Sequence, residues 1–210
     1  MSNVANNVAE KLLSIHAVKL QPKNPFTWAS GWKSPIYCDN RKTLAYPEIR
    51  TLIKNELANI VREKYADADV VAGVATGAIA QGALVADLLG KPFIYVRSAP
   101  KDHGMGNLIE GDLKEGQKVV VIEDLISTGG SSLKAVAALR DAKAEVMGMV
   151  AIFTYGFPVA AEKFAEANVT LDTLSNYNAV LQHLLDKNVI GSEEMETLKK
   201  WRESPEVWGK

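Results

Sequence analysis

The chain has 210 residues, 47% hydrophobic and 23% charged, a globular composition that excludes the disordered and fibrous classes. Its 24 basic and 25 acidic residues leave a formal net charge of −1, so no overall field draws it to nucleic acid or to an anionic membrane. Any anion it binds must be held by a local site.

Val4, Val8, Leu12 and Ile15 recur at helical spacing and predict an amphipathic helix over 3–16. The start, MSNVANNVAEKLL, lacks the basic stretch, apolar run and cleavage site of a secretory leader. No apolar run approaches the roughly 20 residues that span a bilayer, so a cytoplasmic protein is expected. Residues 21–40, QPKNPFTWASGWKSPIYCDN, are too punctuated for a helix. They hold the single cysteine, Cys38, which excludes an intramolecular disulfide and a cysteine-built zinc site. The neighbours in Tyr37-Cys38-Asp39 predict a strand, with Cys38 as a packing residue. Pro47 sits where a first helical turn tolerates it, and 47–65 reads as helix.

From residue 69 the pattern alternates. Short runs rich in β-branched residues cover 69–74, 91–97, 118–124, 145–153 and 169–174, and helical stretches cover 78–89, 131–142 and 158–167. Apolar strands separated by helices imply a Rossmann-like parallel sheet flanked by helices on both faces. Ligands on such sheets lie outside the carboxyl ends of the strands. The tail, 177–210, is again helical. No repeat or linker interrupts the chain, which predicts one α/β domain over 1–210, with a core at about 66–175 and C-terminal helices at 176–210.

The residues most able to carry chemistry follow the third of these runs. Val119 to Ile122 form a buried strand, Glu123 and Asp124 stand at its carboxyl end, and Leu125-Ile126-Ser127-Thr128-Gly129-Gly130-Ser131-Ser132 leads into a helix. Glycines let the backbone close on a ligand, and its N–H groups can converge on one anion. The hydroxyls of Thr128, Ser131 and Ser132 add donors beside the positive end of the helix dipole. The segment predicts a phosphate cradle with an acidic pair one step upstream. No Lys follows the glycines, which excludes a Walker-type loop, and no strand leads into G-x-G-x-x-G. A second candidate is the polar loop 98–111, with Gly104, Gly106 and Gly111 and the cations Lys101 and His103. It suits a lid that keeps water from a reactive intermediate.

The segment from Val119 to Ser132 resembles the phosphoribosyl-diphosphate motif of the type I phosphoribosyltransferases. Tyr95-Val96-Arg97-Ser98-Ala99-Pro100-Lys101-Asp102-His103-Gly104 resembles the catalytic loop of the orotate-using branch of that family. Phe26-Thr27-Trp28-Ala29-Ser30-Gly31, with Lys33 to Tyr37, is similar to the segment that covers the orotate there. The resemblance covers about residues 15–175 and implies a hood over the base within about 1–45. It implies transfer of a phosphoribosyl group to orotate, giving orotidine 5′-monophosphate and diphosphate in pyrimidine biosynthesis. By the same resemblance Lys101, His103 and Asp124 are catalytic. Arg97, Lys101, His103 and the run Glu123, Asp124, Leu125, Ile126, Ser127, Thr128, Gly129, Gly130 and Ser131 bind the donor, and Ser127, Lys33 and Tyr37 meet orotate. Magnesium held mainly by substrate oxygens and water, and a homodimer with shared sites, are also implied. Three departures stand out. Gly77, in the loop Gly73-Val74-Ala75-Thr76-Gly77, replaces a common Lys, no Lys occupies 28–30, and no Arg occupies 153–157. Two rival readings are a transferase acting on purine bases, which leaves Lys-Asp-His-Gly unexplained, and a regulator binding nucleic acid, which the charge disfavours.

Overall fold

The computed structural model describes residues 3–28, 31–99 and 108–208. The chain opens with α1 (Asn3–Ser14) and four short strands, β1 (Val18–Leu20), β2 (Phe26–Thr27), β3 (Lys33–Ser34) and β4 (Ile36–Cys38). A 3-10 helix (Asn40–Ala45) and α2 (Pro47–Lys64) lead to β5 (Val70–Val74), α3 (Ile79–Leu89), β6 (Phe93–Val96) and β7 (Ile109–Glu110). Then come β8 (Lys118–Ile126), α4 (Gly130–Asp141), β9 (Glu145–Thr154), α5 (Pro158–Glu166) and β10 (Leu171–Asn176), followed by α6 (Tyr177–Asp186) and α7 (Ser192–Glu203).

Six strands form one sheet in the order β10-β9-β8-β5-β6-β7. All pairs are parallel except β6 with β7, where Val96 pairs with Ile109 and Tyr95 with Glu110. The β-branched runs lie on the central strands, whose two faces are both covered. Val71, Val120, Ile122, Val150 and Ile152 pack among residues of α1, α2 and α6. Val70, Ala72, Val119, Val121 and Ala151 pack with Val136 and Leu139 of α4 and Phe164 of α5. Period-two alternation within each strand therefore sorts its side chains between two helix layers.

The punctuated segment 21–40 forms two small antiparallel pairs instead of a helix. Strand β1 pairs with β4 and β2 with β3. Alternation along β4 buries Ile36 and Cys38 and exposes Tyr37. Sequence patterning missed β7, a two-residue edge strand too short to show a period. Its pairing closes the base of the segment between β6 and β7, where the Arg97 N–H donates to the Leu108 carbonyl at 2.8 Å.

An aromatic cluster ties the hairpin β2–β3 to the rest of the molecule. Trp28 lies 5.0 Å from Tyr155 and 5.9 Å from Trp201 between ring centroids, and Tyr155 stacks on Phe157 at 5.5 Å. Trp201 of α7 is fully buried and donates its indole N–H to the Lys33 carbonyl at 3.2 Å. Two of these rings, Tyr155 and Phe157, lie in 153–157, the stretch where the sequence lacks an arginine.

Candidate active site

A cleft of about 510 Å³ opens at the carboxyl ends of β5 and β8. Its walls come from Val74 to Gly77 after β5, Ser98 after β6, Glu123 to Leu125 and Ser127 to Ser131 at the end of β8, and Cys38, Asp39 and Arg41 beyond β4. Parallel strands all end on one side, so loops distant in sequence meet there.

The cradle is set by Gly129. Its φ of 77° is left-handed and a Cβ would meet Phe164 at 2.9 Å, so this turn needs glycine on both counts. The turn starts α4 at Gly130 and directs the helix's first free N–H groups into the cleft beside Ser127, Thr128 and Ser131. Leu125 lines the cleft, whereas Ile126 is buried in the core.

The two acids differ in surroundings. Glu123 is 4% exposed and accepts hydrogen bonds from the Ser132 hydroxyl at 2.8 Å and from the Asp124 N–H at 2.9 Å. Burial first, and then the neighbouring Asp124 charge, push its carboxyl well above the usual range and favour the protonated form. Asp124 is half-buried. Its carboxylate lies against Gly77, where a Cβ would collide with it, and its carbonyl accepts from the Asn40 amide at 2.6 Å. Any side chain at 77 would therefore require the Asp124 carboxylate to move. The Ala75–Thr76 peptide beside Gly77 is cis. Cys38 borders the cleft, and burial, then Asp124 and Asp39, push its thiol up, which keeps it neutral and unreactive.

The donor residues from Glu123 to Ser131, apart from the Ile126 side chain, meet in this one cleft. Arg97 does not line it, and its guanidinium faces Glu110 at 3.5 Å. Lys33 and Tyr37 are exposed outside it, with Lys33 donating to the Thr27 hydroxyl at 2.8 Å and Tyr37 beside Phe26. Lys101 and His103 lie outside the described residues. Sequence reasoning missed Asp39, Asn40, Arg41 and Ser98. Asp-Asn-Arg directly after a strand is a signal that could have drawn attention to the first three. Among the described residues no three His, Cys, Asp or Glu side chains converge as a metal site. The hard oxygens of Asp124 and Asp39 suit an ion that keeps most of its water, as magnesium does.

A phosphate cradle beside an acidic pair, at the carboxyl edge of a doubly covered parallel sheet, defines a transferase of sugar phosphates. The family model described as "Phosphoribosyl transferase domain" matches residues 42–182. A relative from Porphyromonas gingivalis, "Orotate phosphoribosyltransferase", is 61% identical over 100% of both chains. The crystal structure of orotate phosphoribosyltransferase from Aeropyrum pernix shares 30% identity at a TM-score of 0.74, covering 88% of this chain and 99% of that one. A longer protein, Leishmania donovani UMP synthase, shares 27% identity at a TM-score of 0.78, and the match covers 94% of this chain and 42% of that one. The chain belongs to the orotate phosphoribosyltransferase family, whose members are pentosyltransferases.

Proposed function

We propose that this chain transfers the phosphoribosyl group of phosphoribosyl diphosphate to orotate, releasing orotidine 5′-monophosphate and diphosphate. The observation that carries the reading is the joint placement of the Glu123–Asp124 pair and the Ser127–Ser131 cradle at the end of one strand, in one cleft. A sugar phosphate needs donors for its phosphate and acceptors for its ring hydroxyls, and the end of β8 supplies both.

The 5′-phosphate is taken by the α4 N-terminus with Thr128, Gly129, Gly130 and Ser131. Asp124, with the buried Glu123 behind it, faces the ribose hydroxyls and stabilises the positive charge that grows on the ring as the bond to diphosphate loosens. No covalent nucleophile is required, because rate comes from position and from electrostatics prepared in advance. Bound magnesium supplies neutralisation of the leaving diphosphate. The hood, with Tyr37 and Lys33, covers the base, and Ser127 stands between base and phosphate. Arg97, Lys101 and His103 act on the leaving diphosphate of a neighbouring subunit's site in a homodimer, which accounts for an Arg97 that turns away from its own cleft. The chain works as one domain, with hood, core and C-terminal helices acting on one site.

The test mixes protein, orotate, phosphoribosyl diphosphate and magnesium, follows the loss of orotate absorbance, and adds decarboxylase to draw the equilibrium forward. Loss that depends on both donor and metal supports the reading. Donor consumption with adenine, guanine or hypoxanthine, and none with orotate, would remove orotate as the acceptor. Lys101→Ala should lower turnover far more than substrate affinity, since a lid acts at the transition state.

A further inference from the structure

The cleft is lined by carboxyl groups, and its substrate is itself strongly anionic. Asp39, Glu123 and Asp124 all line it, and Arg41 is the one cation among its described lining residues. Phosphoribosyl diphosphate brings a phosphate at one end and a diphosphate at the other. The helix N-terminus serves the first. On the diphosphate side, the loop after β5 offers Thr76 and backbone N–H groups only, since position 77 is a glycine with the Asp124 carboxylate lying against it.

We propose that Arg41 is the cation that binds the diphosphate in its own subunit's cleft, where position 77 supplies no side chain. The proposal rests on the donor reading above and assigns one residue to it. Three features of the structure support it. The first is placement. Arg41 lines the same cleft as Thr76 and Gly77, and Asp39 first, then Tyr37 and Asp124, favour its charged form.

The second is anchorage. The preceding residue, Asn40, is 2% exposed and donates to the Asp124 carbonyl. The buried Thr43 hydroxyl donates in turn to the Asn40 carbonyl at 2.6 Å. Arg41 therefore leaves the backbone at a fixed point beside the acidic pair.

The third is the ease of exchange. Arg41 now pairs with Asp39 through two bonds, Nε to Oδ1 at 2.7 Å and one terminal nitrogen to Oδ2 at 3.1 Å. The Arg41 side chain is 59% exposed, and a pair this open to water is cheap to break. The planar fork that grips a carboxylate matches a phosphate equally well and carries its charge at every accessible pH. Asp39 thus holds the guanidinium in readiness and releases it when diphosphate arrives.

The experiment measures two equilibria by calorimetry in the presence of magnesium, inorganic diphosphate binding and orotidine 5′-monophosphate binding, on the full chain. The nucleotide carries the base, its carboxylate and the 5′-phosphate but no diphosphate. Arg41→Ala should weaken diphosphate by about 10- to 100-fold, the usual size of a charge-assisted contact, and leave nucleotide affinity within about twofold. Arg41→Lys should fall between. The double variant Asp39→Asn with Arg41→Ala should show the same diphosphate loss, which separates the missing cation from an uncovered aspartate. Diphosphate affinity that survives Arg41→Ala overturns the proposal. So does an equal loss of nucleotide affinity, which would move Arg41 to the orotate carboxylate or the 5′-phosphate. A wild-type protein that binds neither ligand instead overturns the donor reading itself. Arg41 is exposed, and Asn at 39 keeps an oxygen for the Arg41 N–H that Asp39 caps, so these variants should fold.

Discussion

Glu123 is a carboxyl group kept from water so that its neighbour can face the substrate, and that arrangement has a pH signature. Its folded-state affinity for a proton is raised, so its contribution to stability is complete below the ordinary glutamate value of 4.5 and is lost as pH rises through the raised value. Glu123→Gln mimics the protonated form, and the Ser132 hydroxyl can turn to accept from the new amide. The variant should melt above the wild type by a margin that widens as pH climbs from 4.5, measured by thermal denaturation at several pH values. A margin that stays constant with pH would refute the buried-proton account. At Gly129 the expectation is conformational. Gly129→Ala must adopt a left-handed φ and crowd Phe164, costing about 1–2 kcal/mol of stability by denaturant titration, with weaker donor binding as the cradle shifts.

Among the elements, α7 carries a role its position in the chain does not suggest. Its buried Trp201 reaches across to the Lys33 carbonyl and wedges between the rings of Trp28, Tyr155, Phe157 and Tyr177. Trp201→Phe keeps a ring in the cluster but leaves that carbonyl without its indole partner. It should cost about 1 kcal/mol in stability and raise the KM for orotate more than the KM for the donor. Steady-state kinetics with each substrate varied in turn would decide, and equal changes in both would deny α7 a part in placing the hood. The central strands and the cradle were legible in the sequence because a strand buried on both faces reads as a continuous apolar run, and because Ser-Thr-Gly-Gly-Ser satisfies several local demands at once. From its residues the hood was legible as a place where no helix could form, with a single strand around Cys38. Its strands are two or three residues long and owe their pairing to Trp28, Trp201 and the core. Asp39, Asn40 and Arg41 escaped notice for a related reason, since their importance comes from the Asp124 backbone 84 residues further along the chain.

At the scale of the whole molecule, the orientation of Arg97 toward Glu110 suits a homodimer in which each subunit lends its loop to the other's cleft. Such sharing predicts complementation. Asp124→Asn and Lys101→Ala subunits are each expected to be nearly inactive alone. Mixed and reassociated at random, half of their dimers pair one of each, and each of those rebuilds one intact site, so about a quarter of wild-type activity should return. No recovery on mixing would place each loop over its own subunit's cleft. The pairing of β6 with β7 also separates two histories that a protein usually has to negotiate together. The backbone bond from Arg97 to Leu108 pins the two ends of the intervening segment to the sheet, and the entropy of closing a loop grows only slowly with its length. Changes in the length of that segment therefore cost little loop-closure entropy, and on the roles proposed for Lys101 and His103 they would bear on the leaving group. On that proposal, selection could revise the chemistry there under little obligation to the rest of the structure.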